Sequence, residues 1–429
     1  MKSIKFNISP PLGNWAYVTI GSREFMVDEF VAKLNEVGIA AKAPSVPPFR
    51  ARSPSPEDIQ AVFEKVSKHN LNFVLVILPT RDTEIYNCVK QNCDVRYGIR
   101  HACVIAEKFA KAGNHQYNAN EALKINLKLG GTNQLVSRLG IIDKGKTMLV
   151  GIDVTHPSPG SARNAPSIAA IVASIDKNLG QFPADIRMQT GKQEKVDALD
   201  RLLDSRLDMW KKHNKTYPEN IIVYRDGVSE GQYNMVIDDE LPQLKEACRK
   251  KYPAPDTKKG LPHISIVVVG KRHHTRFYAT TEQDADERSK NPPTGTVVDR
   301  GVTEARNFDF FLQSHKALQG TARPAHYFTV YDEIFHKEKP QPPFQNAADV
   351  LHDLTHRLCY TFGRATKAVS ICPPAYYADL VCERARCYLS DVFDQSTSVV
   401  SEAGSAQAAQ VDGGRVTLHR NIKDTMFYI

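Results

Sequence analysis

The sequence has no pair of cysteines spaced as CxxC. Its eight cysteines are scattered over 429 residues, and the closest pairs, Cys88/Cys93 and Cys382/Cys387, stand five apart. That spacing suits neither zinc ribbons nor thioredoxin-like redox centres, so the thiols are read as reduced residues of a cytoplasmic or nuclear protein. No apolar run approaches the ~18 residues that a membrane-spanning helix needs, so no membrane partner is expected. The opening "MKSIKFNISPPLGNWAYVTI" lacks the apolar core and small-residue cleavage site of a secretory signal. It reads as if it began mid-protein, which predicts a piece of a longer chain.

What is present is ordinary in bulk. The length allows two domains with separate cores. Apolar residues make up 41% and charged residues 24%, the balance of a globular protein. The formal net charge is +8 and the pI about 8.9, which points toward an anionic partner without naming one. Residues 1–128 hold 17 Lys and Arg against 12 Asp and Glu, and the remainder holds 39 against 36, so the positive bias is heavier in the first third.

Strand and helix patterns alternate through that first third. "WAYVTI" (15–20) reads as a strand, 22–38 as a helix, and "APSVPPFRARSPSP" (43–56) as an exposed proline-rich loop. Helix 56–69, buried strand "NFVLVILP" (72–79), a helix from about Thr83, strand 99–105 and helix 118–130 follow. Such alternation predicts a parallel sheet with helices on its faces. Gly130–Gly131 marks a seam. Beyond it, "TMLVGIDV" (147–154) and "PSIAAIVASID" (166–176) read as an antiparallel pair, followed by helix 193–213 and strands 221–226 and 263–270. The C-terminal third reads as mainly helical, over 345–362 and 374–390, and the low-complexity stretch 395–414 as disordered.

Two apolar strands end on a carboxylate. "MLVGID" stops at Asp153 and "IIVYRD" at Asp226, the latter followed at once by Gly227. Either aspartate alone is most simply a cap or turn residue. Strand tips are also where α/β folds gather ligand groups, and a buried strand gains nothing from a terminal charge unless something binds it. Two such strands, separated by a hairpin and a helix, resemble the RNase H arrangement, in which acidic groups from separate strands meet beside a C-terminal helix.

The motifs "GIDVTHP", "PSIAAIVAS", "YRDGVSEGQ", "KRHHTRFY", "FDFFLQSH", "QGTARPAHY" and "VSICPPAYYADLVCERARCYL" resemble, in order, the PIWI domain of eukaryotic Argonautes. "IYNCVK" and "LKINLKLGG" before them are similar to the MID domain. The resemblance covers nearly the whole chain and implies a Rossmann-like MID domain (1–129) followed by an RNase H-like PIWI domain (130–429), from a fungal Argonaute without its N-terminal and PAZ domains. It implies a catalytic tetrad of Asp153, Glu194, Asp226 and Asp379. The three aspartates would hold two Mg²⁺ (or Mn²⁺), and Glu194, at the start of its predicted helix, would close the shell. The fourth position is commonly histidine in the family; Asp379 in "AYYADLV" is a harder oxygen ligand that suits the same cations.

Tyr86 and Lys90 are four apart, as are Lys124 and Lys128, so each pair shares a helix face. By spacing alone these are solvated faces. The resemblance implies instead that all four residues bind the 5′ phosphate and first base of a guide strand. It adds Arg384 to the same phosphate and Tyr376 to a neighbouring one. Ala102 stands where family members often carry glutamine, with His101 and Arg100 as alternative donors. The implied activity is small-RNA-guided silencing: cleavage of complementary RNA, leaving 3′-hydroxyl and 5′-phosphate ends, alongside silencing-complex partners. A non-cleaving guide-binding module that recruits such partners is the alternative, and a DNA-directed nuclease of the same superfamily a third. Three further signals stand apart from these sites. "HDLTH" (352–356) fits an apolar helix stripe better than a zinc site, "KRHHTRFY" lies along a nucleic-acid channel or forms a basic loop, and "KKYPAPDTKKG" (250–260) is a solvated loop.

Overall fold

The computed structural model describes residues 5–21, 24–111, 113–253, 260–317, 319–393 and 411–429. Two sheets organise them. The first contains β1 (Trp15–Ile20), β2 (Phe49–Ala51), β3 (Phe73–Leu78) and β4 (His101–Ile105) in the order β2-β1-β3-β4, with every pairing parallel. Continuous apolar runs such as "FVLVIL" form parallel strands because helices cover both faces. Phe30 and Leu34 of helix Asp28–Glu36 and Ala122 and Ile125 of helix His115–Lys128 pack on one face. Ile59, Phe63 and Val66 of helix Pro56–Ser67, with Val89 of helix Thr83–Lys90, pack on the other.

The second sheet has eight strands: β5 (Thr147–Thr155), β6 (Ser167–Ala173), β7 (Ala184–Gln189), β8 (Asn220–Asp226), β9 (His263–Gly270), β10 (Thr296–Val298), β11 (Phe308–Gln313) and β12 (Ala325–Asp332). Their order is β10-β11-β12-β9-β8-β5-β6-β7. β5 and β6 form the expected antiparallel pair, with Ile152 opposite Ile171. β8 runs parallel between β5 and β9, so the carboxyl ends of β5 and β8 lie side by side. Helices Leu199–Asn214 and Leu241–Lys251 cover one face, and helices Ala347–Leu358 and Pro373–Tyr388 the other. Gly151 allows the last of these to sit directly on β5, because a Cβ there would lie 1.9 Å from the Pro374 carbonyl oxygen.

Several expectations are corrected. The proline-rich stretch 43–56 contains β2, a three-residue edge strand between prolines, where a missing N–H is tolerated. The helix expected over 22–38 spans Asp28–Glu36, its first turn carrying Asp28 and Glu29; residues 22–23 lie outside the described ones. The C-terminal third contributes β10, β11 and β12 as well as helices. In β11 the alternation is hidden because Asp309 is buried among apolar neighbours, held by His326 Nε2 at 2.7 Å. The helix expected from 193 begins at Leu199, so Glu194 lies in the preceding loop and not at a helix start. Most of 395–414 and of 250–260 lies outside the described residues. No helix among the described residues is long and apolar enough to cross a membrane.

Candidate functional site

Asp153 and Asp226 occupy adjacent strand ends, and Asp379 approaches from helix Pro373–Tyr388, where the Cys382 thiol also lies 3.6 Å from the Asp153 carbonyl oxygen. Gly227 fixes the geometry at their centre. Its φ of +84° is accessible to glycine at little cost, and a Cβ there would lie 3.3 Å from Asp153 Oδ1 and 3.5 Å from Glu194 Oε1. Its N–H donates to Asp226 Oδ1 at 2.7 Å. The loop before helix Leu199–Asn214 therefore delivers Glu194 to the same place as the strand ends.

The carboxylates are electrostatically crowded. Burial, then the neighbouring Asp153 and Asp379 charges, push Asp226 up to about 7. Burial and the Asp153 charge push Asp379 up to about 6. Burial raises Asp153 as well, against the opposing pull of Arg225. Arg225 itself is fully buried and clamps the site from below. It donates to both oxygens of Glu240, to the Asp226 carbonyl at 2.6 Å and to the Glu194 carbonyl at 2.8 Å. Its Nη1 also lies 2.9 Å from Glu194 Oε1. His156 Nε2 holds the other Glu194 oxygen at 2.8 Å, and its Nδ1 meets Ser167 Oγ at 2.8 Å.

Among the described residues no three His, Cys, Asp or Glu side chains are grouped tightly enough to hold a metal ion as they stand. The donor set still suits a hard divalent cation. It is all carboxylate oxygen, and Glu194 Oε1 is buried without a hydrogen bond despite its ion pair, 3.5 Å from where a Cβ on Gly227 would stand. The tetrad predicted from sequence is thus brought together in space, with Glu194 tied to His156 and Arg225. Neither of these two holders was singled out from the sequence. Arg225 left a trace there, as a charge inside the apolar run "IIVYRD"; His156 left none.

One turn further along the same helix, Leu380, Glu383, Arg384 and Cys387 line a cavity of about 300 Å³. Tyr86, Lys90 and Lys124 form its opposite wall, with Ala102, Cys103 and Arg364. Arg384 is held by Asp94 at 2.9 Å and by the Phe427 carbonyl at 2.8 Å, and its Nη2 lies 3.5 Å from the Tyr86 hydroxyl. Lys90 Nζ sits 4.8 Å from the centre of the Tyr86 ring and donates to His101 Nε2 at 2.8 Å. Burial and the charges of Lys90, Lys128 and Arg384 hold the His101 pKa well below its usual value, so it accepts as a neutral ring. Lys124 is paired with Glu121 at 2.8 Å.

Of the five residues expected at this pocket one is placed elsewhere, and Tyr376, expected at a neighbouring phosphate, does not line the cavity. Lys128 is buried and donates to the Phe427 carbonyl at 2.5 Å, lining a small cleft with Asp94 and His101 instead of the cavity. Burial and the nearby Arg384 and Lys90 charges lower its pKa well below the usual lysine value. Tyr376 stacks on Phe362 with ring centres 4.6 Å apart. Neither His101 nor Arg100 lines the cavity at the Ala102 position; both face the small cleft. Arg364 was not anticipated. The "HDLTH" histidines pack as apolar-face residues, His352 against Phe310 at 4.2 Å and His356 against Tyr360 at 5.4 Å. In "KRHHTRFY", Lys271 pairs with Ser370, and His273 Nε2 meets the Pro324 carbonyl at 2.9 Å, so these two side chains are committed to the fold.

Residues 73–390 match the model of the Piwi domain family. The chain is 35% identical to "Protein argonaute 1B" of Oryza sativa subsp. japonica over 431 residues, covering 90% of this chain and 37% of the relative. It thus spans roughly a third of the length of the curated relatives it matches. The N. crassa QDE-2 AGO MID-PIWI domains superpose with a TM-score of 0.71 at 32% identity, covering 99% of this chain and 100% of that one. Kluyveromyces polysporus Argonaute, solved with a guide RNA, superposes at 0.82 and 30% identity over 99% of this chain and 52% of its own.

Proposed function

The chain belongs to the Argonaute proteins of the Piwi-domain family, and from that premise we propose that it anchors the 5′ phosphate of a small guide RNA and cleaves complementary target RNA. Residues 1–129 serve as the guide-binding MID domain and 130–429 as the PIWI nuclease. The observation that carries this reading is the single helix Pro373–Tyr388, which presents Asp379 to the strand-end carboxylates and Arg384 to the cation-lined cavity.

Lys90, Lys124 and Arg384, joined by Arg364, receive the guide's terminal phosphate, and the Tyr86 face stacks on its first base. Lys128 supports the pocket from beneath, holding the Phe427 carbonyl that Arg384 also contacts. Tyr376, stacked on Phe362, meets the next phosphate along. Base pairing supplies sequence specificity, while the protein reads backbone and helical shape. Asp153, Asp226 and Asp379 would hold the divalent cations, Mg²⁺ or Mn²⁺, with Glu194 as the closing ligand. A bound cation pair supplies water activation and stabilisation of the departing oxygen. Arg225 and His156 orient Glu194, and Gly227 keeps the space among the carboxylates clear. The neighbours from Kluyveromyces and N. crassa support a fungal source. Scattered free cysteines support a cytoplasmic or nuclear location.

A non-cleaving guide-binding module is favoured by one observation, the engagement of both Glu194 carboxylate oxygens by Arg225 and His156. The two readings separate on a single experiment. The full-length protein, loaded with a 5′-phosphorylated guide, is incubated with matched target RNA in Mg²⁺. Specific cleavage that disappears in Asp153→Ala supports the nuclease. Tight guide binding with no cleavage by the wild type supports the recruiting module, and equal affinity for 5′-phosphate and 5′-hydroxyl guides contradicts the pocket.

A further inference from the structure

A second cavity, of about 460 Å³, lies at one edge of the eight-stranded sheet, between edge strand β7, helix Leu199–Asn214 and the C-terminal segment 416–424. It shares no lining residue with the guide cavity or the carboxylate site. Arg206 lines it and is only 5% exposed. Its Nε donates to Ser205 Oγ at 3.2 Å, but its Nη1 is buried with no hydrogen-bond partner. An unmet guanidinium donor is costly, since each buried charged donor normally has an acceptor. Burial pulls the Arg206 pKa down, and the charges of Asp185 and Asp424 work against that pull.

The nearby acids are largely committed. Asp185 accepts from Ser205 Oγ at 2.8 Å and from the Ile186 N–H at 2.9 Å, and Asp208 is held by Lys251 at 2.9 Å. The exposed Lys212 and Lys423 stand on the rim, and no ion pair of theirs exists among the described residues. Ala184, Ile186, Met209, Val416 and Leu418 supply an apolar wall. The volume exceeds what a bare phosphate fills and lies within the roughly 300–1,000 Å³ of small-molecule sites.

We propose that this cavity is a second ligand site for a small organic anion, whose phosphate or carboxylate group pairs with Arg206 while its body lies against the apolar wall. Arginine's planar fork suits both groups. Lys212 and Lys423 draw the anion in, and the site works independently of guide recognition.

The protein is titrated by calorimetry with AMP, citrate and inorganic phosphate, with and without saturating 5′-phosphorylated RNA. One equivalent of AMP or citrate should bind even in the presence of the RNA, and which of the two binds distinguishes a phosphate from a carboxylate ligand. Arg206→Met should weaken that binding by about tenfold or more, and the exposed Lys212→Ala/Lys423→Ala pair by severalfold, with guide affinity unchanged. The lysine variant keeps the test decisive should Arg206→Met fold poorly. No binding by the wild type at millimolar anion overturns the proposal. So does binding that the RNA abolishes, which would place the anion in the guide cavity, or binding untouched by both variants. Loss of guide binding with the anion site intact would count against the guide reading alone.

Discussion

Arg225→Met tests how far the candidate site depends on one buried cation. Arg225 is 0% exposed and sits among two carboxylates and two carbonyls. Methionine fills similar volume but offers no donor, so Glu240, 1% exposed, would lose its charged partner and keep only the Val196 N–H while remaining buried. Removing one member of a buried ion pair costs about 3–5 kcal/mol, because the other charge stays desolvated. At roughly 2 °C per kcal/mol for a unit this large, the unfolding midpoint should fall by about 8 °C. Adding Glu240→Leu should recover part of the loss, since an apolar pair can replace a buried ion pair at little net cost. Thermal melts of the wild type, both single variants and the double variant form the cycle. A fall of under about 2 °C in Arg225→Met, or no recovery in the double variant, would refute the clamp, because both consequences follow from the desolvation of Glu240.

Four further outcomes are expected. Gly227→Ala forces alanine into a left-handed backbone at about 1–2 kcal/mol and places a methyl against Asp153 and Glu194, so target cleavage should drop at least tenfold. Gly231→Ala, which meets nothing within 4 Å, should cleave normally and serves as its control. Asp226 and Asp379 bind protons more tightly folded than unfolded, rising from 3.8 to about 7 and about 6. The folded chain therefore holds more protons across that window, and in metal-free buffer stability falls as pH rises from about 4 to 7. Asp226→Asn should raise the midpoint at pH 8, and Mg²⁺ should raise that of the wild type there; a wild-type midpoint flat from pH 5 to 8 in EDTA would contradict this. Lys90→Glu should weaken binding of a 5′-phosphorylated guide and reduce its salt dependence, read by filter binding. Lys128→Glu should instead lower the unfolding midpoint, because that side chain is buried away from the cavity and the new carboxylate would face the Phe427 carbonyl.

Much of the fold is legible because the periods that carry it are local. The runs at β1, β3, β5, β8 and β9 read correctly as buried strands, and the helices between them follow the helical apolar spacing. The failures share a cause. β2 has three residues, too few for a period, and β11 buries an aspartate whose partner, His326, lies in another strand. Glu194 looks like the first turn of a helix until Ala198, with φ 53°, interrupts it.

The amino-acid sequence by itself determined the alternating α/β architecture, the acids at two strand ends and the order of the motifs, since each depends on residues close together in the chain. Only the tertiary structure decided which side chains share a space. His156 and Arg225 hold Glu194 across 38 and 31 positions, and Lys128 turns to a carbonyl 299 positions away. Arg206 faces an unassigned cavity closed by the C-terminal segment. Contacts over such separations are set by how helices pack on sheets, and local periodicity carries no record of them.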